Sequence, residues 1–144
     1  MTPDVNVLVA ASRADHPHHT PARAWLKDAL VAAELGTPLR IQPLVIVSFL
    51  RLVTHARIFV KPTPMDDALA FVDVLLSAQG VKHPTFGAEW PDFKALCAGK
   101  QLAANEVPDA WLAAAVLHQG EHLVSFDADI KKLLPRSRFT RLTT

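Results

Sequence analysis

Apolar residues along this chain fall into short blocks divided by polar turns, and their period changes from block to block. Val5 to Ala11 is a continuous apolar run, which reads as a strand buried on both faces. Thr20-Pro21 then predicts a helix start, with Thr20 as N-cap and Pro21 at the first helical position. Ala24, Trp25, Leu26, Leu30 and Ala33 continue that helix, and Gly36 can end it. A strand is expected over Pro38 to Ile41, followed by helical spacing of Val45, Phe49, Leu52, Val53 and Ala56 within 44–58. Thr63-Pro64 repeats the start signal, and Asp66 and Asp67 suit the positive end of a helix running to Gly80.

The second half repeats the alternation. Val81 to Phe86 reads as a weak strand broken by Pro84, and Pro91 to Ala98 as a helix. Asn105-Glu106 precedes a strongly apolar helix through Asp109, Leu112, Val116 and Leu117, closed by Gly120. His122 to Phe126 reads as a strand, Asp127 to Leu134 as a short helix, and Arg138 to Leu142 as an edge strand. Strands alternating with helices imply βαβ units, hence an α/β protein with a parallel sheet covered on both sides. Neither a repeat nor a linker divides the sequence, so one domain over 1–144 is expected.

Composition changes this picture little. With 144 residues, 50% of them hydrophobic and 20% charged, the chain can bury a sizeable core. Its net charge of +1 carries no overall signature of nucleic acid, so any RNA must be held by a local basic rim. The start of the sequence has no positive region before its apolar run, and Ile41 to Leu50 is too short to span a bilayer. A cytoplasmic protein without membrane contact is expected. The single cysteine, Cys97, reads as a small buried apolar residue.

Chemistry enters with the acids. Most of the 14 acidic residues sit on polar faces or near caps. Asp4, however, opens an apolar run where a carboxylate is disfavoured without a positive partner. Asp109 lies in the first turn of the most apolar helix, and Asp127 follows directly on Ser125-Phe126, with Asp129 two residues on. Each has a structural explanation alone, as a dipole complement or a cap. Together, at strand ends and helix starts of a parallel fold, they would repel unless a hard cation neutralised them. Magnesium or manganese takes such oxygen ligands and activates water against a phosphodiester.

These same residues carry a family resemblance. Asp4-Val5-Asn6-Val7-Leu8-Val9-Ala10-Ala11 resembles the first strand of PIN-domain proteins, with an asparagine two residues after its aspartate. Val107-Pro108-Asp109-Ala110-Trp111-Leu112 resembles the helix bearing the family's third acid. Leu123-Val124-Ser125-Phe126-Asp127-Ala128-Asp129-Ile130 resembles its last acidic strand end. Ser48-Phe49-Leu50-Arg51-Leu52-Val53-Thr54, Arg57-Ile58-Phe59 and His16-Pro17-His18-His19 resemble segments of VapC-type toxins.

The resemblance runs nearly end to end and implies a PIN-like three-layer α/β/α sandwich with a central, mainly parallel sheet. It implies a Mg2+-dependent endoribonuclease (Mn2+ a possible substitute), a homodimer restrained by a VapB-type antitoxin. Asp4, Asp109 and Asp127 would hold the metal, with Asp129, Asn6, Arg51 and Glu106 in supporting positions. One departure stands out: Ser48 occupies the place where many PIN domains carry a glutamate, which Glu106 partly compensates in this reading. The alternative is a catalytically weakened PIN-like module that binds RNA or an antitoxin without efficient cleavage.

Other constellations have plainer explanations. Asp15, His16, His18 and His19 read as a loop before a helix rather than a transition-metal site. Arg51 and Thr54 share a helix face and point either to phosphate or to the acids. Arg136, Arg138 and Arg141 form a basic C-terminal rim. Trp25, Trp90 and Trp111 read as core or partner interface. With Phe49, Leu52, Phe59, Phe71 and Leu75, some of these would line a groove for an antitoxin helix. A phosphatase or receiver-type domain also clusters aspartates, but Asp127 and Asp129 fall too late in the chain to leave room for the rest of such a site.

Overall fold

The computed structural model describes residues 2–3, 5–41, 43–83, 88–120, 123–125 and 128–141. Six helices carry most of them: α1 (Val5–Ser12), α2 (His19–Glu34), α3 (Pro43–Val53), α4 (Met65–Ser77), α5 (Trp90–Lys100) and α6 (Glu106–Gln119). Four short strands, β1 (Leu39–Arg40), β2 (Val81–Lys82), β3 (Leu123–Ser125) and β4 (Phe139–Arg141), complete the order. Two 3-10 turns, Ala128–Lys132 and Arg136–Arg138, lie between β3 and β4.

The α/β class and the parallel pairing expected from the sequence are both present. Among the described residues the pairing falls into two ribbons rather than one continuous sheet. β1 pairs β2 with Leu39 opposite Val81 and Arg40 opposite Lys82, and β3 pairs β4 with Leu123 opposite Phe139. α2 packs on β1 and α4 on β2, so helices flank the first ribbon.

The first apolar run is corrected by the structure: Val5–Ser12 is a helix, not a strand. An unbroken apolar run carries no period and suits a buried helix as well as a buried strand. Here its neighbours decide. Leu8, Val9, Ala10 and Ala11 are all buried, and α1 packs against α2 and α3 rather than beside a strand. A helix between helices satisfies its own backbone groups without a sheet partner.

The start of α2 is also shifted. His18 takes the N-cap position, so Thr20 and Pro21 fall within the first turn. His19 Nδ1 donates to the Ala10 carbonyl at 2.8 Å and fixes this start against α1. Gly36 ends the helix as expected: its N–H reaches Ala33 O, and Thr37 N–H reaches Ala32 O at 2.9 Å. That pair of bonds is a Schellman closure, and Gly36 supplies its positive φ of 105°. Gly80 is required for a second reason. Its φ is +80°, and a Cβ there would run into the backbone carbonyl of Ala33.

The core runs through all six helices and includes Phe49, Leu50, Val53, Phe93, Val107 and Ala113, each almost wholly buried. Trp111 meets Phe93 edge-on at 5.6 Å, and Trp90 lies 5.8 Å from the same ring. Phe49 stacks on Phe71 at 5.2 Å. These aromatics therefore pack against one another, whereas Trp25, half-buried on α2, lines a cavity.

Candidate functional site

The site is built from α3, α6 and the turn after β3. α3 ends in Arg51-Leu52-Val53, and Thr54, the next residue, is buried. Its hydroxyl donates to Leu50 O at 2.7 Å and accepts the Ala104 N–H at 3.1 Å. That second bond matters because Gln101 and Ala104 have φ of 48° and 52°, a left-handed conformation costly to any residue with a Cβ. Thr54 thus holds a strained bend that aims the start of α6. The face shared by Arg51 and Thr54 serves this junction.

Asn105 occupies the N-cap of α6 but makes no side-chain cap. Its Oδ1 instead accepts from Arg51 Nε at 3.5 Å. The residues that follow bring Glu106 and Asp109 into the first turn of α6, where the helix dipole favours negative charge. Opposite them stands the 3-10 turn Ala128–Lys132 with Asp129 in its first turn. Asn105, Glu106, Asp109, Asp129, Lys132 and Leu133 line one cavity of about 310 Å³ with a mainly polar wall. Lys132 is the ammonium among them, and its Nζ lies 3.6 Å from Asp129 Oδ1. The arrangement offers several hard oxygen donors beside a single lysine.

Of the expected site residues, Asp109, Asp129 and Glu106 therefore share a cavity, and Arg51 touches its rim through Asn105. Asp4 and Asp127 lie outside the described residues. Asn6 lines a different cavity of about 430 Å³, mostly apolar, with Val7, His16, His18 and Trp25. Ser48 is half-buried on α3 and is not among the lining residues. Among the described residues alone, no three His, Cys, Asp or Glu side chains are grouped closely enough to hold a metal ion.

Sequence reasoning missed Asn105 and Lys132 as members of the site. Lys132 had a readable signal, its spacing of three from Asp129 on a short helix. Asn105 had a misleading one, since asparagine before an apolar helix reads as a cap. Elsewhere the loop histidines close a turn: His18 N–H donates to His16 Nδ1 at 3.0 Å. Arg138 of the basic rim donates to the Gly120 carbonyl. Burial pushes the Cys97 thiol up to about 12, so it stays protonated, as a core residue would.

An α/β chain of this order, with acids gathered at a helix start and after a strand, defines a class. The family profile of the PIN domain matches residues 1–133, and the chain belongs to the PIN-domain family. Its relatives sharpen this. It is 38% identical over 136 residues to Ribonuclease VapC25 of Mycobacterium tuberculosis, covering 90% of this chain and 89% of the relative. Ribonuclease VapC31 of Mycobacterium tuberculosis is 39% identical over 131 residues, with 90% and 89% covered. VapC ribonuclease Mb2897 of Mycobacterium bovis is 35% identical over 140 residues, with 96% and 89% covered. No helix among the described residues is long and apolar enough to cross a membrane.

Proposed function

We propose that this chain is a metal-dependent endoribonuclease, the toxin of a VapBC-type pair, folded as one domain over 1–144. The observation that carries the reading is the polar cavity lined by Glu106, Asp109 and Asp129 beside one lysine. Carboxylates along one cavity wall repel an RNA phosphate, and a hard divalent cation held with the help of further acids would remove that penalty. The donor set is all oxygen, with no thiol or imidazole, and fits Mg2+ or Mn2+ rather than a softer ion.

Asp4, Asp109 and Asp127 are the residues proposed to hold the ion, with Asp129 and Glu106 completing the acidic wall. A cation bound there supplies an acidified water and stabilises charge on the phosphodiester. Arg51 keeps Asn105 turned into the cavity, and Lys132 offsets part of the negative charge from the far side. Glu106 stands in the acidic wall despite Ser48 on α3, which favours an active enzyme over the weakened binding module. The relatives' ribonuclease names support the substrate class, and their VapC names support a VapB-type antitoxin as partner; a homodimer in the cytoplasm completes the proposal.

The test is cleavage of a mixed cellular RNA pool with magnesium and with chelator, comparing wild type with Asp4→Asn. Fragments that need magnesium and vanish in the variant are expected. Well-folded, antitoxin-free protein that leaves RNA intact with both magnesium and manganese would overturn the enzyme in favour of the binding module.

A further inference from the structure

We infer that the solvent face of the β1–β2 ribbon is a phosphate-binding site for single-stranded RNA, separate from the acid cavity. Arg40 and Lys82 are register partners on adjacent parallel strands, and both side chains are exposed. Cross-strand neighbours of like charge destabilise a sheet. A pairing of this kind serves no purpose in holding two residues of strand together. The two cations and His83 line a concave site of about 280 Å³ with Pro38.

No carboxylate among the described residues relieves the pair. Among the described residues no ion pair involves Arg40 or Lys82, and the neighbouring stretch 83–87 and Gln42 contain no acidic residue. Two cations and an imidazole around a concavity are the complement of a phosphate group, with arginine able to bind two of its oxygens at once.

Its position favours a polynucleotide. Arg40 lies three residues before α3, and Arg51 in the last turn of α3 touches the acid cavity through Asn105. The 11 residues of α3 span about 16 Å at the helical rise. A short run of single-stranded RNA covers that distance, with its scissile bond at the acids and a downstream or upstream phosphate on Arg40 and Lys82. The chain's near-neutral net charge makes such a local anchor necessary. The inference rests on the ribonuclease reading only for this choice of ligand.

The experiment measures binding of a labelled single-stranded RNA oligonucleotide in chelator, where cleavage is off, to wild type and to Arg40→Gln/Lys82→Gln. Each lost phosphate contact lowers the slope of log affinity against log salt by about 0.7 for single strands. The double variant is expected to bind on the order of tenfold more weakly at low salt, with a slope shallower by about 1.4. Its melting temperature should equal or exceed that of wild type, because the like-charge pair is gone. Unchanged affinity and slope overturn the site. So does an equal loss of poly-glutamate binding, which marks a surface reading charge alone. Magnesium-dependent cleavage on the same proteins separates the two readings. A weakened, shallower binding isotherm without cleavage keeps the phosphate site and removes the ribonuclease, and cleavage with unchanged binding does the reverse.

Discussion

The clasp around Arg13 and the cavity beside α6 use the same residue types to opposite ends. Arg13 is 7% exposed, yet its charge is fully answered. Its guanidinium makes two bonds to Asp15 at 2.7 and 3.0 Å, one to Thr63 Oγ1 at 2.9 Å and one to Lys61 O at 2.8 Å. Its Cζ also lies 3.8 Å above the Phe59 ring. The clasp thereby ties the loop after α1 to the loop before α4. In the acid cavity Lys132 is the cation among Glu106, Asp109 and Asp129. A satisfied buried charge helps fix the chain in one shape, whereas the wall of the cavity gathers three acidic side chains beside one lysine. On the proposed function the first region is scaffold and the second chemistry.

If the contrast is sound, function and stability should separate between the two. The largest effect is expected from Asp109→Asn: RNA cleavage falls on the order of a hundredfold or more, since a metal-held charge is worth several kcal/mol in the transition state. The melting temperature of this variant should fall by no more than a few degrees, the cost of one charge lost from a helix start. A fall in stability equal to the fall in activity would place Asp109 in the scaffold instead.

Arg13→Ala should do the reverse. Loss of the bonds to Thr63 and Lys61, and of the contact with Phe59, is expected to cost about 2–3 kcal/mol in urea unfolding. Cleavage per folded molecule should be retained. Thr54→Val joins the two regions, because the hydroxyl is buried scaffold yet aims α6. About 1–2 kcal/mol of stability should go with the orphaned Ala104 N–H, together with a several-fold loss of cleavage. A stability loss with full activity would show that the bend does not position Asp109.

The smallest effect is in pH. The hydrogen bonds from Arg13 hold the Asp15 carboxyl below the usual carboxylate range, with the guanidinium charge acting in the same direction. A depressed folded value means that this stability is fully present above the unfolded carboxylate pKa of about 3.9. It is lost as pH falls through the lowered folded value. Wild type should therefore show an added acid-limb loss of stability below about pH 4 that Arg13→Ala lacks. Identical acid limbs would mean that Asp15 contributes nothing to the clasp.

Much of this was legible in the residues. The helix after Asn105, the Gly36 and Gly120 closures, the acidic first turn of α4 and the buried Cys97 all follow from local rules that hold wherever the chain goes. Asp109 stood out because an acid in the first turn of so apolar a helix is conspicuous. The order of acids along the chain, with its family resemblance, pointed to the PIN-domain class without any coordinates.

Tertiary structure decided what depends on neighbours. Val5–Ser12 became a helix because α2 and α3 surround it, a fact that no apolar run records about itself. Asn105 forgoes its cap because Arg51, 54 residues earlier, reaches it. Thr54 and Ala104 are likewise strangers in sequence joined at 3.1 Å. Periodicity and capping are properties of a few adjacent residues and can be read along a line. Which distant side chain answers a charge or an unpaired N–H is set by packing, and packing exists only once the chain has folded.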